Sequence, residues 1–446
     1  MICTAARGGM RSVIEGYAAD GLFSRWGIVL LNPHVEGSLS VRLLAAAREF
    51  FRFVGLLLRR QVSLVHCHAA MKGSFWRKSL FALLASRNKI SIRVFYTWGK
   101  QVLEQKFDPG FGKKISWDIP LIEGYDYCFV ENTSANPGSH HRKGIQNPGL
   151  IPEIEIWQPN AVLVYGWNFS SHIKALRYFH KKIPVLFRGD STMLDLQNPV
   201  KAMLKKIYLT NLFKHIDIAL YAGSENKKYY QNFGLPDNHL AFMPHAVDNQ
   251  FFYSNKKPAI DFREKLDIPN EDTVFLFAGK FIEKKNPVAL VMLFAALKLS
   301  NTHLVMAGNG PLEDQLKLAA VGNNHIHFVP FQNQSAMPSL YAMCDCFILP
   351  SKGPGETWGL AVNEAMAAGK AILVSNKCGC AADLLENGKN GFIFNAENCE
   401  DLEKNLKRIT GSKKLMAEMG VHSLEKIKNW SLQNAAIAIE KAVTGF

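Results

Sequence analysis

Two glutamates, Glu356 and Glu364, lie eight positions apart in a stretch whose residue types suit the binding of an anion and of hydroxyl groups. The apolar run 346–349 predicts a short buried strand, and a loop rich in Gly and Pro follows it. Residues 360–368 then favour a helix that ends at Gly369. A strand, a glycine loop and a helix bring backbone N–H groups and the positive end of a helix dipole to one point, which predicts an anion site.

The two carboxylates need a different ligand, because a carboxylate repels a phosphate. We expect Glu356 and Glu364 to accept hydrogen bonds from sugar or ribose hydroxyls on either side of a diphosphate. The alternative is an ordinary buried strand–helix unit whose glutamates are merely exposed to water. A bare pair of glutamates does not separate these interpretations, so the surrounding residues decide between them.

Those surrounding residues, 350–369, resemble the signature of the family 4 retaining glycosyltransferases. The resemblance is carried by Pro-Ser, by Glu-Thr-Trp-Gly-Leu and by Asn-Glu-Ala-Met-Ala-Ala-Gly, in that order. These are group 1 glycosyltransferases, and the resemblance is to the bacterial surface-polysaccharide type over residues 93–446. It implies the GT-B fold, which is α/β with two doubly wound Rossmann-like domains facing each other across a cleft. It also implies transfer of a sugar from a UDP- or GDP-linked donor to an acceptor hydroxyl, with retention of configuration and with no cofactor or metal.

A second charged segment follows the apolar run 273–278, which is typical of a strand in a parallel sheet. Gly279 ends the run, and Lys280 and Lys285 come after it. Two cations at a strand end suit a diphosphate, because they neutralise charge on a leaving nucleotide; a charged stretch in water is the alternative. The family resembled has arginine where this chain has Lys280, so the charge is kept and the bidentate geometry of arginine is lost.

The resemblance also assigns roles within the donor site. It implies that Glu356 binds the donor sugar, that Glu364 binds the ribose, and that the strand 326–331 ends facing the base. The two lysines would hold the diphosphate together with backbone N–H groups at the start of the helix. The predicted donor-binding residues are Gly279, Lys280, Lys285, Phe331, Glu356, Thr357, Trp358, Gly359, Leu360 and Glu364.

Candidate acceptor-side residues follow the predicted strand 184–187, at the sheet edge where doubly wound folds bind ligands. We expect Arg188 to pair with a phosphate and Asp190 to position the acceptor hydroxyl; a salt bridge between the two is the alternative. With Glu356, Lys280 and Lys285, they complete the set of candidate catalytic residues.

The stretch 96–127 lacks a helical period, so it predicts a shaped loop. Trp98 and Trp117 in this stretch are candidates for stacking on acceptor sugars, although packing of the loop onto its own domain is the alternative for each.

The domain organisation expected from these motifs has four parts. Residues 1–92 form an atypical basic segment, interpreted as a partial second N-terminal domain of which 62–92 join the main sheet. Residues 93–262 form the acceptor-side Rossmann-like domain, and 263–430 form the nucleotide-sugar domain. Residues 431–446 form a helix that crosses back to the first domain.

Charge and composition predict the kind of surface that the protein binds. The net charge is +14, and residues 1–92 hold 13 Lys and Arg against four Asp and Glu. A basic end indicates an anionic partner; because no nucleic-acid module is visible, we expect a membrane surface and no nucleic acid. The segment 40–60 predicts an amphipathic helix, which either lies on the membrane or packs on its own domain.

No apolar run is long enough to span a membrane, and the start resembles no signal peptide. Eight scattered cysteines favour reduced thiols over a metal site. We therefore expect a cytoplasmic protein, peripheral at the inner face of the cell membrane if it docks there, that binds a glycan or lipid-linked acceptor in surface glycan or lipopolysaccharide assembly.

Two other functions stay open at this point. One is a different sugar-transfer chemistry on the same fold, such as that of a phosphorylase. The other is a catalytically impaired or non-catalytic GT-B protein with a fused partial domain, which the unusual residues 1–92 favour.

Overall fold

The computed structural model forms two compact units, 1–92 and 93–446, which are described separately. It describes residues 2–4, 31–34, 38–58, 92–99, 106–108, 110–115, 118, 126–138, 141–195, 198–254 and 261–445. The predicted strand and helix of 62–91, the candidate Trp117 and the connection 255–260 lie outside these residues.

In the first unit, the described residues form a parallel pair of short strands and one long helix. The strands are β1 (Ile2–Thr4) and β2 (Leu31–His34), and the helix is α1 (Leu39–Leu58). The predicted amphipathic helix is thus confirmed. Its apolar side chains are not all enclosed, because Phe53 is buried whereas Leu44 and Phe51 are each 71% exposed. Buried Glu49 is paired with both Arg48 and Arg52.

The acceptor-side part of the second unit is built on a four-stranded parallel sheet. Its strand order is β10-β9-β8-β7, and a separate parallel pair, β3-β6, precedes it in the chain. The strands and helices are β3 (Arg93–Tyr96), β4 (Lys106–Asp108), β5 (Lys113–Ile115), β6 (Asp126–Phe129), α2 (Leu150–Trp157), β7 (Val162–Tyr165), α3 (Ser170–Phe179), β8 (Val185–Arg188), α4 (Pro199–Phe213), β9 (Ile218–Tyr221), α5 (Ser224–Asn232), β10 (Leu240–Phe242) and α6 (Asn249–Ser254).

One expectation in this part is wrong. The stretch 96–127 contains an antiparallel hairpin, β4 paired with β5, where only a shaped loop was expected. Each strand has three residues, which is too few for the alternation of apolar and polar residues to be recognised. The side chain of Asp108 closes the turn by accepting hydrogen bonds from the N–H groups of Gly110, at 2.8 Å, and Phe111, at 3.2 Å.

The C-terminal part is a six-stranded parallel sheet with helices between the strands. Every residue of β11, β12, β14 and β15 is buried, as their near-continuous apolar sequences require. The strands and helices are α7 (Phe262–Lys265), β11 (Thr273–Ala278), α8 (Pro287–Leu297), β12 (Thr302–Ala307), α9 (Glu313–Ala319), β13 (Ile326–Val329), α10 (Met337–Met343), β14 (Cys346–Leu349), α11 (Leu360–Ala367), β15 (Ala371–Ser375), α12 (Ala381–Leu384), β16 (Gly391–Phe394), α13 (Cys399–Thr410), α14 (Lys413–Ile427) and α15 (Leu432–Thr444).

The order of these six strands determines where a ligand binds. The order is β13-β12-β11-β14-β15-β16, so the chain reverses direction across the sheet between β11 and β14. These two strands are hydrogen-bonded neighbours, with Phe275 opposite Cys346. In doubly wound sheets, ligands bind beyond the carboxyl ends of the strands at this switch point. The predicted segments 279–285 and 350–369 follow these two strands, although about 70 residues separate them in sequence.

The last helix, α15, packs on the acceptor-side sheet. Ala435, Ala438 and Ile439 of this helix contact the same apolar cluster as Leu186 and Leu220 of the sheet. The contact joins the two parts of the second unit at the face of the acceptor-side sheet.

Candidate functional site

An ion pair joins the two loops at the switch point. Nζ of Lys285 lies 2.7 Å from Oε2 of Glu356, and the two side chains are only 15% and 7% exposed. The hydroxyl of Ser351 donates a second hydrogen bond, of 3.0 Å, to the same carboxylate oxygen. The structure thus brings the predicted phosphate cation and the predicted sugar carboxylate together, in a setting with little water.

The second predicted carboxylate, Glu364, lies on α11 against the neighbouring helix. The hydroxyl of Tyr341 donates a 2.8 Å hydrogen bond to Oε2 of Glu364. Burial raises the pKa of Glu364 to about 7, although this hydrogen bond acts in the opposite direction. Glu364 therefore changes charge near neutral pH. Sequence reasoning missed Tyr341, because nothing in the spacing of the two residues indicates the contact.

The start of α11 has the backbone form expected of an anion site. Gly359 has φ = +99°, in the left-handed region, and no side chain caps the first N–H groups of the helix. Leu360 begins the helix and is 37% exposed. The predicted contact Trp358 is buried, and its indole N–H donates to Oδ1 of Asn363 at 2.8 Å. Trp358 thus packs into the core of the C-terminal part and anchors the loop there.

The other predicted cation, Lys280, is paired with the acceptor-side hairpin. Its Nζ lies 2.8 Å from Oδ2 of Asp108, and both side chains are about one-third exposed. Burial tends to raise the pKa of Asp108, but Lys280 and the turn N–H groups outweigh it and leave the pKa below its ordinary value. Gly279, immediately before Lys280, ends its strand as predicted.

The same hairpin covers the predicted base-facing residue. The rings of Phe111 and Phe331 meet edge to face with centroids 4.8 Å apart. Nζ of Lys113 lies 4.5 Å above the Phe331 ring and 3.0 Å from Oδ1 of Asn309. The hairpin therefore contacts the ends of three adjacent strands of the C-terminal sheet, β11, β12 and β13. Sequence reasoning missed this role, for which the turn residues Asp-Pro-Gly at 108–110 were the available signal.

The predicted acceptor residue Asp190 contacts the glutamate loop directly. Its Oδ2 accepts a 2.8 Å hydrogen bond from the hydroxyl of Thr357. Nearby, Oδ2 of Asp195 accepts a 2.7 Å bond from the N–H of Gly355. Two acceptor-side carboxylates thus hold the loop 350–359, and Asp195 is one that the sequence did not single out.

Arg188 has a different setting from the one predicted. It is only 5% exposed, and its Nη1 donates to the carbonyl oxygens of Leu220, at 3.1 Å, and Met243. Burial lowers its pKa from the ordinary value. Within the described part of the chain, no ion pair joins Arg188 to Asp190, so the salt bridge considered as an alternative is not seen. The binding of a phosphate by Arg188 stays a prediction.

The described residues contain neither a metal-binding cluster nor a membrane-spanning helix. In that part of the chain, no group of three or more His, Cys, Asp or Glu side chains is arranged to hold a metal ion. No helix within the described ranges combines the length and the hydropathy needed to cross a bilayer.

Comparison with known proteins places this site in a family. Residues 259–423 match the family model of glycosyl transferases group 1, a range that contains every predicted donor residue. The chain is 26% identical over 244 residues to the lipopolysaccharide 1,2-N-acetylglucosaminetransferase of Salmonella typhimurium, covering 48% of this chain and 63% of that protein. It is 23% identical over 232 residues to a Campylobacter jejuni enzyme, covering 51% of this chain and 60% of that protein. That enzyme is N,N'-diacetylbacillosaminyl-diphospho-undecaprenol alpha-1,3-N-acetylgalactosaminyltransferase. The chain spans about half the length of the curated relatives it matches.

Solved structures agree on the fold. Sucrose-phosphate synthase of Thermosynechococcus elongatus superposes with a TM-score of 0.58 at 15% identity, covering 86% of this chain and 96% of that one. HepE of Anabaena, in complex with UDP and glucose, gives 0.55 at 16% identity, covering 72% and 87%. These likenesses confirm the predicted fold class of two Rossmann-like domains. Residues 259–423 belong to the group 1 glycosyltransferase family, and the chain has the GT-B fold.

Proposed function

We propose that this protein transfers a sugar from a UDP- or GDP-linked donor to an acceptor hydroxyl, with retention of anomeric configuration, in surface glycan or lipopolysaccharide assembly. The observation that carries the proposal is the pair of Lys285 and Glu356, 2.7 Å apart and mostly buried at the switch point of the C-terminal sheet. A cation for a diphosphate and a carboxylate for sugar hydroxyls lie side by side there, which is the arrangement that a nucleotide sugar requires.

The donor occupies the switch point in this proposal. Lys280 and Lys285 bind the diphosphate, together with the N–H groups of Gly359 and Leu360 at the positive end of α11. Negative charge builds on the diphosphate as the bond to the sugar breaks, and these fixed groups stabilise that charge. No cofactor takes part.

The carboxylates position the rest of the donor. Glu356 leaves Lys285 to accept hydrogen bonds from sugar hydroxyls, and Glu364 accepts them from the ribose. Phe331 faces the base, and Thr357 and Asp190 link the sugar loop to the acceptor side. Asp190 then orients the acceptor hydroxyl. The binding energy of these contacts is used to orient donor and acceptor in a closed cleft.

The acceptor and the location are proposed from two observations. The Campylobacter relative's name describes a diphospho-undecaprenol acceptor, and the Salmonella relative's name describes lipopolysaccharide. Residues 1–92 carry the excess of positive charge that suits an anionic lipid surface. We therefore propose a lipid-linked or glycan acceptor and a cytoplasmic protein that binds the inner face of the cell membrane.

The test is transfer by the purified full chain. Thermal shift with UDP, GDP and their sugars identifies the donor, and donor turnover is then measured for the wild type, Glu356→Gln and Glu425→Gln. Glu425 is an exposed glutamate on α14, 66% accessible and paired with Lys428, so it serves as the matched control. We expect Glu356→Gln to lose about 10²–10³-fold in kcat and the control to match the wild type. Equal turnover by all three proteins would overturn the proposal, and the anomeric configuration of the product, measured by NMR, tests retention.

A further inference from the structure

The solvent-facing side of α4 is apolar. Val200, Met203, Leu204 and Ile207 are 62%, 58%, 58% and 64% exposed. Their spacing of three, four and seven residues places them in one stripe along the helix, which we call the α4 stripe. The opposite face contributes Leu209, Leu212 and Phe213 to the core. A helix that is apolar on both faces is ordinarily enclosed, so the exposed stripe indicates a surface that a partner covers.

The charged side chains of α4 itself are all positive, and Asp195, which precedes the helix, acts on Lys205. The helix contains three lysines and no acidic residue. Lys201 and Lys206 are exposed and, at 100° per residue, lie about 110° from the centre of the stripe on its two sides. Lys205 turns inward, with its Nζ 5.2 Å from the centre of the Tyr229 ring. An apolar stripe between lysines fits an interface that is apolar inside and anionic at its edge.

The stripe also begins beside the proposed acceptor site. After β8 the chain contacts the loop 350–359 through Asp190 and Asp195. It then enters α4 at Pro199, and the side chain of Asn198 caps the start of this helix. Pro199 is four positions after Asp195, so the helix starts at most about 14 Å from a residue bonded to that loop. A surface that covers the stripe is therefore held next to the place where the acceptor hydroxyl must arrive.

We infer that the α4 stripe rests on an anionic lipid bilayer and holds the cleft against the surface that carries the acceptor. A second copy of the chain fits less well, because two such stripes would bring the lysines of one α4 against those of the other, and α4 itself has no acidic residue to pair them. This inference rests on the proposed function, because it specifies the surface that would meet the membrane. Lipid binding and donor binding are tested by separate measurements, so that the failure of one can be told from the failure of the other.

The test is binding of the full chain to vesicles. Vesicles of phosphatidylcholine with about one-third phosphatidylglycerol are compared with pure phosphatidylcholine, by co-sedimentation at low salt. The stripe variant is Met203→Gln with Ile207→Gln. The matched control is Leu318→Gln with Val321→Gln, a pair that is 74% and 77% exposed on the C-terminal part. All four positions are exposed, so we expect equal thermal melting of both variants and the wild type.

We expect the stripe variant to lose at least tenfold in partition to anionic vesicles, while the control binds like the wild type. Lys201→Glu with Lys206→Glu should lose at least about 25-fold on anionic vesicles and little on neutral ones, because each of the two lysines contributes about fivefold near such a surface. Wild-type partition by the stripe variant would overturn the inference. So would a wild-type dimer that the stripe variant makes monomeric without a change in vesicle binding. Nucleotide thermal shifts are read on the same proteins; their absence counts against the proposed function alone.

Discussion

Replacing Asp108 by Asn should tighten the binding of the nucleotide donor. The change removes the charge that neutralises Lys280, yet Oδ1 of the asparagine still accepts the hydrogen bonds from Gly110 and Phe111 that close the hairpin turn. In the proposed function a diphosphate takes the place of Asp108 beside Lys280, so the wild type must break this ion pair before the donor is held. The variant has no pair to break.

The size of the effect follows from the exposure of the pair. Both side chains are about one-third exposed, 34% for Lys280 and 30% for Asp108, so water screens much of their attraction. An exposed ion pair of this kind contributes up to about 1 kcal/mol of favourable free energy, which the wild type must give up when the donor binds. That free energy corresponds to about a fivefold decrease in Kd for Asp108→Asn.

Isothermal titration calorimetry with UDP and GDP measures the effect at low and at high salt. The gain should shrink at high salt, because screening already weakens the pair in the wild type. Asp118→Asn is the matched control, since Asp118 also joins the hairpin segment to the C-terminal part, through Ser335, but is paired with no cation among the residues that the structure describes. Weaker nucleotide binding by Asp108→Asn than by the wild type would refute the reasoning, because it would mean that the carboxylate assists the donor.

Four further predictions concern buried and half-buried groups. Because the pKa of Glu364 is raised to about 7, donor Kd should increase as pH falls below 7, and Glu364→Gln should remove this dependence in calorimetric titrations. The same raised pKa means that the folded chain holds a proton that the unfolded chain releases above about pH 4.5. The free energy of unfolding should therefore fall by roughly 3 kcal/mol as the pH rises from 4.5 to 7. Urea melts of Glu364→Gln should not show this part of the pH dependence. Arg188→Lys should lower the free energy of unfolding by about 1–3 kcal/mol, because the single nitrogen of lysine cannot replace both Nη1, which meets two carbonyl groups, and Nη2, which lies 3.4 Å from His245; unchanged urea melts with reduced turnover would instead support phosphate binding. Asp383→Ala should cost about 1–2 kcal/mol in urea melts, since its Oδ2 accepts bonds from both the N–H and the hydroxyl of Ser224; an unchanged midpoint would contradict this.

The C-terminal part of the fold was predictable because its strands are continuous apolar runs. The strands 273–278, 302–307, 346–349 and 371–375 have the predicted bounds, and the strand starting at Ile326 ends two residues earlier than expected, at Val329. Such runs mark strands that are buried on both faces, and Gly279 and Gly308 mark the ends of the first two.

The contacts between distant parts of the chain were not predictable. Asp108 meets Lys280 across 172 positions, and Asp190 meets Thr357 across 167. Tyr341 and Glu364 meet because two helices pack, and no periodicity records that packing. Local pattern indicates which element each residue is on, but the partner of its side chain depends on how whole sheets and helices are arranged.

The strand order of the C-terminal sheet has a consequence for how such a protein diverges. Under the proposed function the base is read at the end of β13, on one flank of the sheet, while the sugar is read in the loop after β14, on the other side of the switch point. Only the diphosphate spans the junction between them. Substitutions that alter the choice of base and those that alter the choice of sugar therefore fall on separate loops, so each preference can change in evolution, or by design, while the other is retained.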